Sequence, residues 1–301
     1  MIVNEGGNNK MSDVDESVLS LLQDMGIDIG DEQSKKIREK LKRIKNYVPK
    51  VGVLGKTGAG KSSLCNALFG RKIAEISDIE ACTREPQSIF LSSSDEGGKG
   101  LHLVDLPGVG ESNERDREYR DLYNKLLPEF DLTLWVIKSD DRALSVDEDF
   151  YKTCVSPAIG PCPIVFVLNQ VDKIEPHKEW DEYNHKPSAK QLENIRKKAE
   201  VVAKSFCIQS NDICAVSASE KFGLVGLVDH IVKVLPNEKK FAFVREVQED
   251  TVSDGAVKKA KRGIIDSILE FVDKAFKFYD KHKVKIDLIA TAIGKWWLNR
   301  K

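Results

Sequence analysis

No stretch of this sequence stays apolar for the roughly 20 residues that a bilayer-spanning helix requires. Runs such as Pro163 to Leu168 and Ile264 to Ile268 end, or meet an Asp, within a few residues. A transmembrane helix is not expected. Met1 to Lys10 is rich in Asn and Gly and lacks the basic start and apolar stretch of a secretory signal. The six cysteines, at positions 65, 82, 154, 162, 207 and 214, include no C-x-x-C pair, so neither a zinc cage nor a disulfide framework is indicated. The five histidines share no spacing that suits a metal. A reducing, cytoplasmic setting is the expectation that follows. Net charge is nearly absent as well, 47 Lys and Arg standing against 48 Asp and Glu, but it is unevenly spread. Residues 256–301 carry 12 basic and 5 acidic side chains, a net of +7, which leaves −8 on the remainder.

What is present is enough apolar sequence, 41%, for an ordinary globular core. Between Val51 and about Leu235, short apolar strands alternate with helical patterns, the mark of a mostly parallel sheet covered on both faces. Strands are predicted at 51–54, 88–91, 101–104, 132–137, 164–168 and 213–216. Leu192, Ile195, Ala199, Val202 and Phe206 repeat at helical spacing, as do Leu224, Val228, Ile231 and Leu235. The expected fold class is α/β, a three-layer domain at 49–236 built on a mostly parallel six-stranded sheet. A helical segment at 1–48 precedes it, with stripes at Val14, Val18, Leu21, Leu22 and Met25 and at Ile37, Leu41 and Ile44. A basic helical extension at 237–301 follows, read as a long helix with Val257, Ile264, Ile268, Val272, Ala275 and Tyr279 on one stripe.

Chemistry concentrates at strand ends. Gly55, Lys56, Thr57, Gly58, Ala59, Gly60, Lys61 and Ser62 spell G-x-x-x-x-G-K-[ST] between an apolar strand and the helical pattern opening at Ser63. Glycines let backbone N–H groups converge on phosphates, and the helix start adds its positive pole. Lys61 is expected to bridge the β- and γ-phosphates of a nucleotide and Ser62 to ligate magnesium, with Ser63 in the same first turn. The strand at 101–104 runs into Asp105-Leu106-Pro107-Gly108, a D-x-x-G. Asp105 is expected to hold magnesium through water, and the Gly108 N–H to reach the γ-phosphate. Thr83, in a polar segment between these motifs, is the candidate that completes the magnesium shell. Lys61, Thr83 and Gly108 are thus the groups expected around the transferring phosphate.

The base is indicated by two further strand ends, Asn169-Gln170-Val171-Asp172 and Ser217-Ala218. The Asp172 carboxylate can accept both the N1–H and the 2-amino hydrogens of guanine, whereas adenine offers neither. Asn169 would brace the loop and the Ala218 N–H would meet the guanine oxygen. A P-loop ATPase or kinase conflicts with Asn169 and Asp172. With these motifs in this order, residues 51–235 resemble the Era-like branch of translation-factor-related P-loop GTPases. The segments GKTGAGKSSLCNALFG, CTREPQ and DLPGVGES resemble the bacterial YfjP/YeeP-like subfamily. The resemblance implies hydrolysis of GTP with magnesium.

Departures from the family pattern carry their own expectations. Gln170 stands where the pattern has Lys, keeping a stem across the phosphate loop but losing its charge, so weaker nucleotide binding is expected. Gly58 replaces the Asn found in potassium-activated relatives, so potassium activation is not expected. Val109 occupies the position of the water-orienting Gln of Ras-like enzymes, which implies slow turnover until dimerisation or an activating protein supplies a charge. Arg84 either supplies that charge in cis or pairs with Glu85. The basic residues Lys258, Lys259, Lys261, Arg262, Lys274, Lys277, Lys281, Lys283 and Lys285, with Trp296 and Trp297, form a solvated helix face or a contact for ribosomal or other RNA. An anionic membrane surface is the less favoured partner. Two roles therefore stand: a GTP switch on ribosome or RNA, and a dynamin-like or stress and defence GTPase that self-assembles or works at membranes.

Overall fold

Alternate residues of the strands point to opposite faces, and here both sets are apolar, which fits a sheet covered on each side. The computed structural model describes residues 30–70, 87–91, 100–106, 121–158 and 160–276, together with Ser20 and Leu22. Strands β1 (Lys50–Leu54), β2 (Gln87–Leu91), β3 (Leu101–Asp105), β4 (Leu132–Lys138), β5 (Ile164–Asn169) and β6 (Ile213–Ala215) form one sheet ordered β2-β3-β1-β4-β5-β6. Only β2 runs antiparallel, against β3; the other neighbours pair in parallel. All six lie where the apolar runs place them.

Helices α1 (Asp31–Asn46), α2 (Lys61–Phe69), α3 (Ser145–Phe150), α4 (Ala189–Phe206), α5 (Leu224–Val234), α6 (Asn237–Glu246) and α7 (Asp254–Phe276) complete the layers. Val51, Val53, Leu134, Val136, Val165 and Val167 pack on α2 and α5, while Leu54, Trp135, Ile137, Phe166 and Leu168 pack on α3 and α4. Trp135 anchors the second face, its ring 6.1 Å from Phe166, 5.7 Å from Phe206 and 5.5 Å from Tyr151.

Two helical expectations need correction. In α4 the predicted stripe begins at Leu192, yet Leu192 is exposed and Gln191 is buried. Gln191 is the N3 residue of a capping box with Ser188, and its Nε2 donates to the Ile174 carbonyl at 3.0 Å, which draws it inward. Among the described residues the C-terminal extension forms two helices, where the sequence predicts one long helix. Between α6 and α7, the Gln248 backbone N–H donates to Leu68 O at 2.7 Å and its side-chain Nε2 to Asn66 O at 2.9 Å. The linker is thus drawn off to satisfy the carbonyls that α2 leaves open at its C-terminal end. On α7 the buried stripe is Ala256, Ala260, Ile264, Ile268 and Val272, with Val257 only half-buried.

Sequence far apart is joined in a third cluster, where Leu22 and Ile37, Leu41 and Ile44 of α1 meet Ile264, Ile268 and Val272 of α7. Polar ties reinforce it. Arg245 of α6 donates from Nη2 to Tyr47 O at 2.9 Å and from Nη1 to Lys45 O, and Lys40 pairs with Glu238 at 2.8 Å. Lys239 sits 3.2 Å from the Tyr47 ring centroid and 3.2 Å from Asp131. Val14, Val18, Leu21, Met25, Tyr279, the basic residues from Lys277 to Lys285 and the Trp296-Trp297 pair lie outside the described residues. Among the described residues no helix is long and apolar enough to cross a membrane.

Candidate functional site

β1 delivers the chain into a tight loop, 55–60, from which α2 starts with its positive pole facing the loop. Gly55, Gly58 and Gly60 all take positive φ, at 140°, 81° and 85°. A Cβ at Gly55 would come 2.2 Å from the Val136 carbonyl oxygen, and one at Gly60 would come 2.5 Å from Asn169 Nδ2. At Gly58 the space is open, so only the positive φ favours glycine there. Lys61 folds back along the loop, its Nζ donating to Gly55 O at 3.0 Å. Ala59 is buried, whereas Thr57 and Ser63 are exposed.

The β5 and β6 ends close over this loop. Asn169, fully buried, donates from Nδ2 to Ala59 O at 2.9 Å and to Gly60 O at 3.3 Å. Gln170 donates from Nε2 to Gly58 O at 2.9 Å. The carbonyls of residues 58, 59 and 60 are therefore all held by two side-chain amides. The neutral Gln170 side chain thus lies against the phosphate loop. Ser217, buried, donates its hydroxyl to Asp172 Oδ1 at 2.6 Å while accepting from the Glu220 N–H at 3.3 Å, which fixes the carboxylate. The Ala218 N–H donates to Asn169 Oδ1 at 3.2 Å, where the sequence reading gives it to the guanine oxygen.

Asp105, at the end of β3, is paired in register with Val53, one strand over and just upstream of the phosphate loop. Leu106 N–H donates to Val53 O at 3.2 Å and holds that end in place. Of Asp105 only the backbone is described, and Thr83, Arg84, Gly108 and Val109 lie outside the described residues.

Lys56 behaves differently from its motif neighbours. Its ammonium lies 2.5 Å from Asp147 Oδ2 on α3, 3.0 Å from Asp141 Oδ2 and 2.5 Å from Ala143 O, so its side chain braces the loop against the segment after β4. Burial pushes the Asp147 carboxyl above the ordinary carboxylate range, against the pull of Lys56. Burial likewise opposes the charge on Lys56, yet hydrogen bonds to Asp147 and Asp141 carry its pKa upward. Removing the ammonium raises Asp147 further. An acid whose native pKa exceeds its unfolded one contributes stability at low pH that is lost as pH rises through the native value. Lys56→Met should therefore cost about 2–3 kcal/mol near neutral pH and clearly less at about pH 5, read from denaturant melts. Equal losses at both pH values would contradict the pairing.

Comparison with known proteins decides the family. A profile of the family described as 50S ribosome-binding GTPase matches residues 50–170. YkfA of Escherichia coli K12 is 41% identical over 214 residues, 71% of each chain. YfjP of the same strain is 37% identical over 245 residues, covering 81% of this chain and 82% of YfjP. The chain belongs to the YkfA/YfjP family of P-loop GTPases. As a member of that family it binds GTP and hydrolyses it to GDP and phosphate. Among solved structures, Era in complex with MgGDPNP and nucleotides 1506–1542 of 16S ribosomal RNA matches at a TM-score of 0.46 and 26% identity, over 63% of this chain and 57% of that one.

Several members of this GTPase's site escape motif reading. Ser139, at the end of β4, donates to Gln170 O at 2.6 Å, and Lys173 donates to Gln170 Oε1 at 2.8 Å. Asp141 and Asp147 hold Lys56, and Gln248 caps the far end of α2. Apart from the short spacing of Lys173 to Asp172, no local signal announces them; strand ends bring in Ser139 and Lys173, and packed helices and their linkers bring in the others.

Proposed function

We propose that residues 55–63, 105, 169–172 and 217–218 form a guanine-nucleotide site for GTP with magnesium, and that the chain works as a GTP-dependent switch. The observation that carries this is the clamp of Asn169 and Gln170 on the carbonyls of residues 58–60, beside an Asp172 carboxylate set by Ser217. Carbonyls turned into the base loop leave the opposite side of those peptides for phosphate oxygens, so phosphate loop and base pocket become one rigid cradle. Within it Lys61 neutralises charge on the β- and γ-phosphates, and Gly108 donates its N–H to the γ-phosphate. Asp172 accepts from the guanine edge, and a guanine oxygen competes with Asn169 Oδ1 for the Ala218 N–H. Ser62 and Asp105, joined by Thr83, offer the hard oxygen donors that magnesium takes alongside phosphate and water. When bound, magnesium neutralises developing charge on the phosphate oxygens.

The ribosome is the partner favoured for the switch, since the matching family is described as 50S ribosome-binding and exposed cations crowd α1 and the start of α7. They are Lys35, Lys36, Arg38, Lys42 and Arg43, then Lys258, Lys259, Lys261 and Arg262. A membrane-associated, self-assembling GTPase is the second reading, favoured by the packing of α1 on α7 into one helical unit beside the GTPase core. Co-sedimentation with ribosomes and with anionic liposomes, each in GTP and in GDP, separates them. Ribosome pelleting in GTP but not GDP is the expected result, and GTP-dependent pelleting with liposomes alone would favour the second reading. Single-turnover hydrolysis should be slow and should rise with protein concentration or on adding ribosomes. Fast, concentration-independent turnover would contradict a switch that needs an activator.

A further inference from the structure

Gln170 adopts a left-handed backbone, φ 61° and ψ 37°, an uncommon conformation for a residue with a side chain. Its amide has one partner that only accepts, the Gly58 carbonyl at 2.9 Å, and one that only donates, the Lys173 ammonium at 2.8 Å. Those partners permit a single amide orientation, Nε2 toward the phosphate loop and Oε1 toward the cation. We propose that Lys173 is an affinity-determining positioning residue for the nucleotide, delivering through the Gln170 amide the positive charge that Gln170 itself lacks. This rests on the guanine-site reading above.

The physical link is short. An ammonium bound at Oε1 polarises the amide and strengthens the Nε2–H bond to Gly58 O. That bond fixes the peptide that follows the positive-φ Gly58. The charge also stands beside the cradle, and its attraction for a bound polyphosphate is sensitive to salt. Lys173 follows Asp172 directly, so the 3-10 turn Val171–Lys173 places a carboxylate for the base and a cation for the loop on consecutive residues. Ser139 completes the arrangement by donating to Gln170 O, which pins the backbone from which both side chains reach out.

Dissociation constants of the full chain for fluorescently labelled GDP test the idea, at about 0.05 M and about 0.5 M salt. Lys173→Met should weaken GDP about fivefold at low salt and less at high salt, with an unchanged melting temperature. Lys173→Arg should bind as the parent does. In a Gln170→Ala background the Lys173→Met loss should shrink to the small, salt-sensitive part that direct attraction supplies, and Gln170→Lys should restore affinity to Lys173→Met. A Lys173→Met chain that binds like the parent overturns the proposal. So does an equal loss with and without Gln170, because Lys173 would then act independently of the amide. Asp172→Asn, measured alongside, keeps the two levels apart. If that variant retains its guanine preference, the guanine site itself fails; if it loses GDP while Lys173→Met does not, only the role of Lys173 falls.

Discussion

Asp172→Asn should lower affinity for GTP by about 100-fold or more while admitting xanthosine triphosphate to within about tenfold of the parent's GTP affinity. A carboxylate accepts from both the N1–H and the 2-amino group, and these charge-assisted bonds are worth about 1.5–3 kcal/mol each. An asparagine amide keeps one acceptor and turns a donor toward guanine, losing one bond and opposing donor to donor. Xanthine carries an oxygen where guanine has the amino group, so the same amide fits it. The Ser217 hydroxyl, 2.6 Å from Asp172 Oδ1, can donate equally to an amide oxygen, so the loop should keep its shape. Competition binding with GTP, XTP and ATP reads the outcome. Unaltered GTP preference in the variant, or ATP binding as tight as GTP in the parent, would remove Asp172 from the base pocket.

Much of this was legible because strands buried on both faces read as continuous apolar runs, and all six strands appear where such runs lie. The phosphate loop was legible because its glycines and its Lys-Ser pair sit in consecutive order. What escaped depends on residues distant in sequence. Gln170 reads as a lost charge until Lys173 is seen on its Oε1. Lys56 reads only as a variable position of the phosphate-loop motif until Asp141 and Asp147 are found around its ammonium. The stripe of α4 misplaces Leu192 because a capping box outbids hydrophobicity at Gln191. Pairing of α1 with α7 has no local signature, since each stripe shows only that it needs a partner.

That pairing has a structural consequence for the site. α2 begins at the phosphate loop and ends in carbonyls capped by Gln248, from the linker between α6 and α7. Phe69, its last residue, meets Phe243 of α6 edge to face with centroids 6.2 Å apart. One nine-residue helix therefore touches the phosphate loop at one end and the helical unit at the other. No other element needs to move for the two to be in mechanical contact.

Gly60→Ala should abolish tight nucleotide binding, with a loss of about 100- to 1,000-fold, while Gly58→Ala should lose only about tenfold. Both positions carry positive φ, and a Cβ there costs about 1–2 kcal/mol of backbone strain. Only at Gly60 does the new carbon also collide, 2.5 Å from Asn169 Nδ2. Asn169 has nowhere to retreat, being fully buried and tied through Oδ1 to the Ala218 N–H. Relieving the clash therefore breaks the bonds to Ala59 O and Gly60 O, worth about 1 kcal/mol each, and unlocks the loop from the base pocket. A double-mutant cycle isolates this cause. In an Asn169→Ala background the 2.5 Å collision is gone and the remaining close approach is 3.2 Å to Nε2 at the end of the Gln170 side chain, so Gly60→Ala should cost little more than Gly58→Ala does. Equal effects of Gly58→Ala and Gly60→Ala in the parent, or an undiminished Gly60→Ala effect without Asn169, would show that the clamp does not hold the phosphate loop.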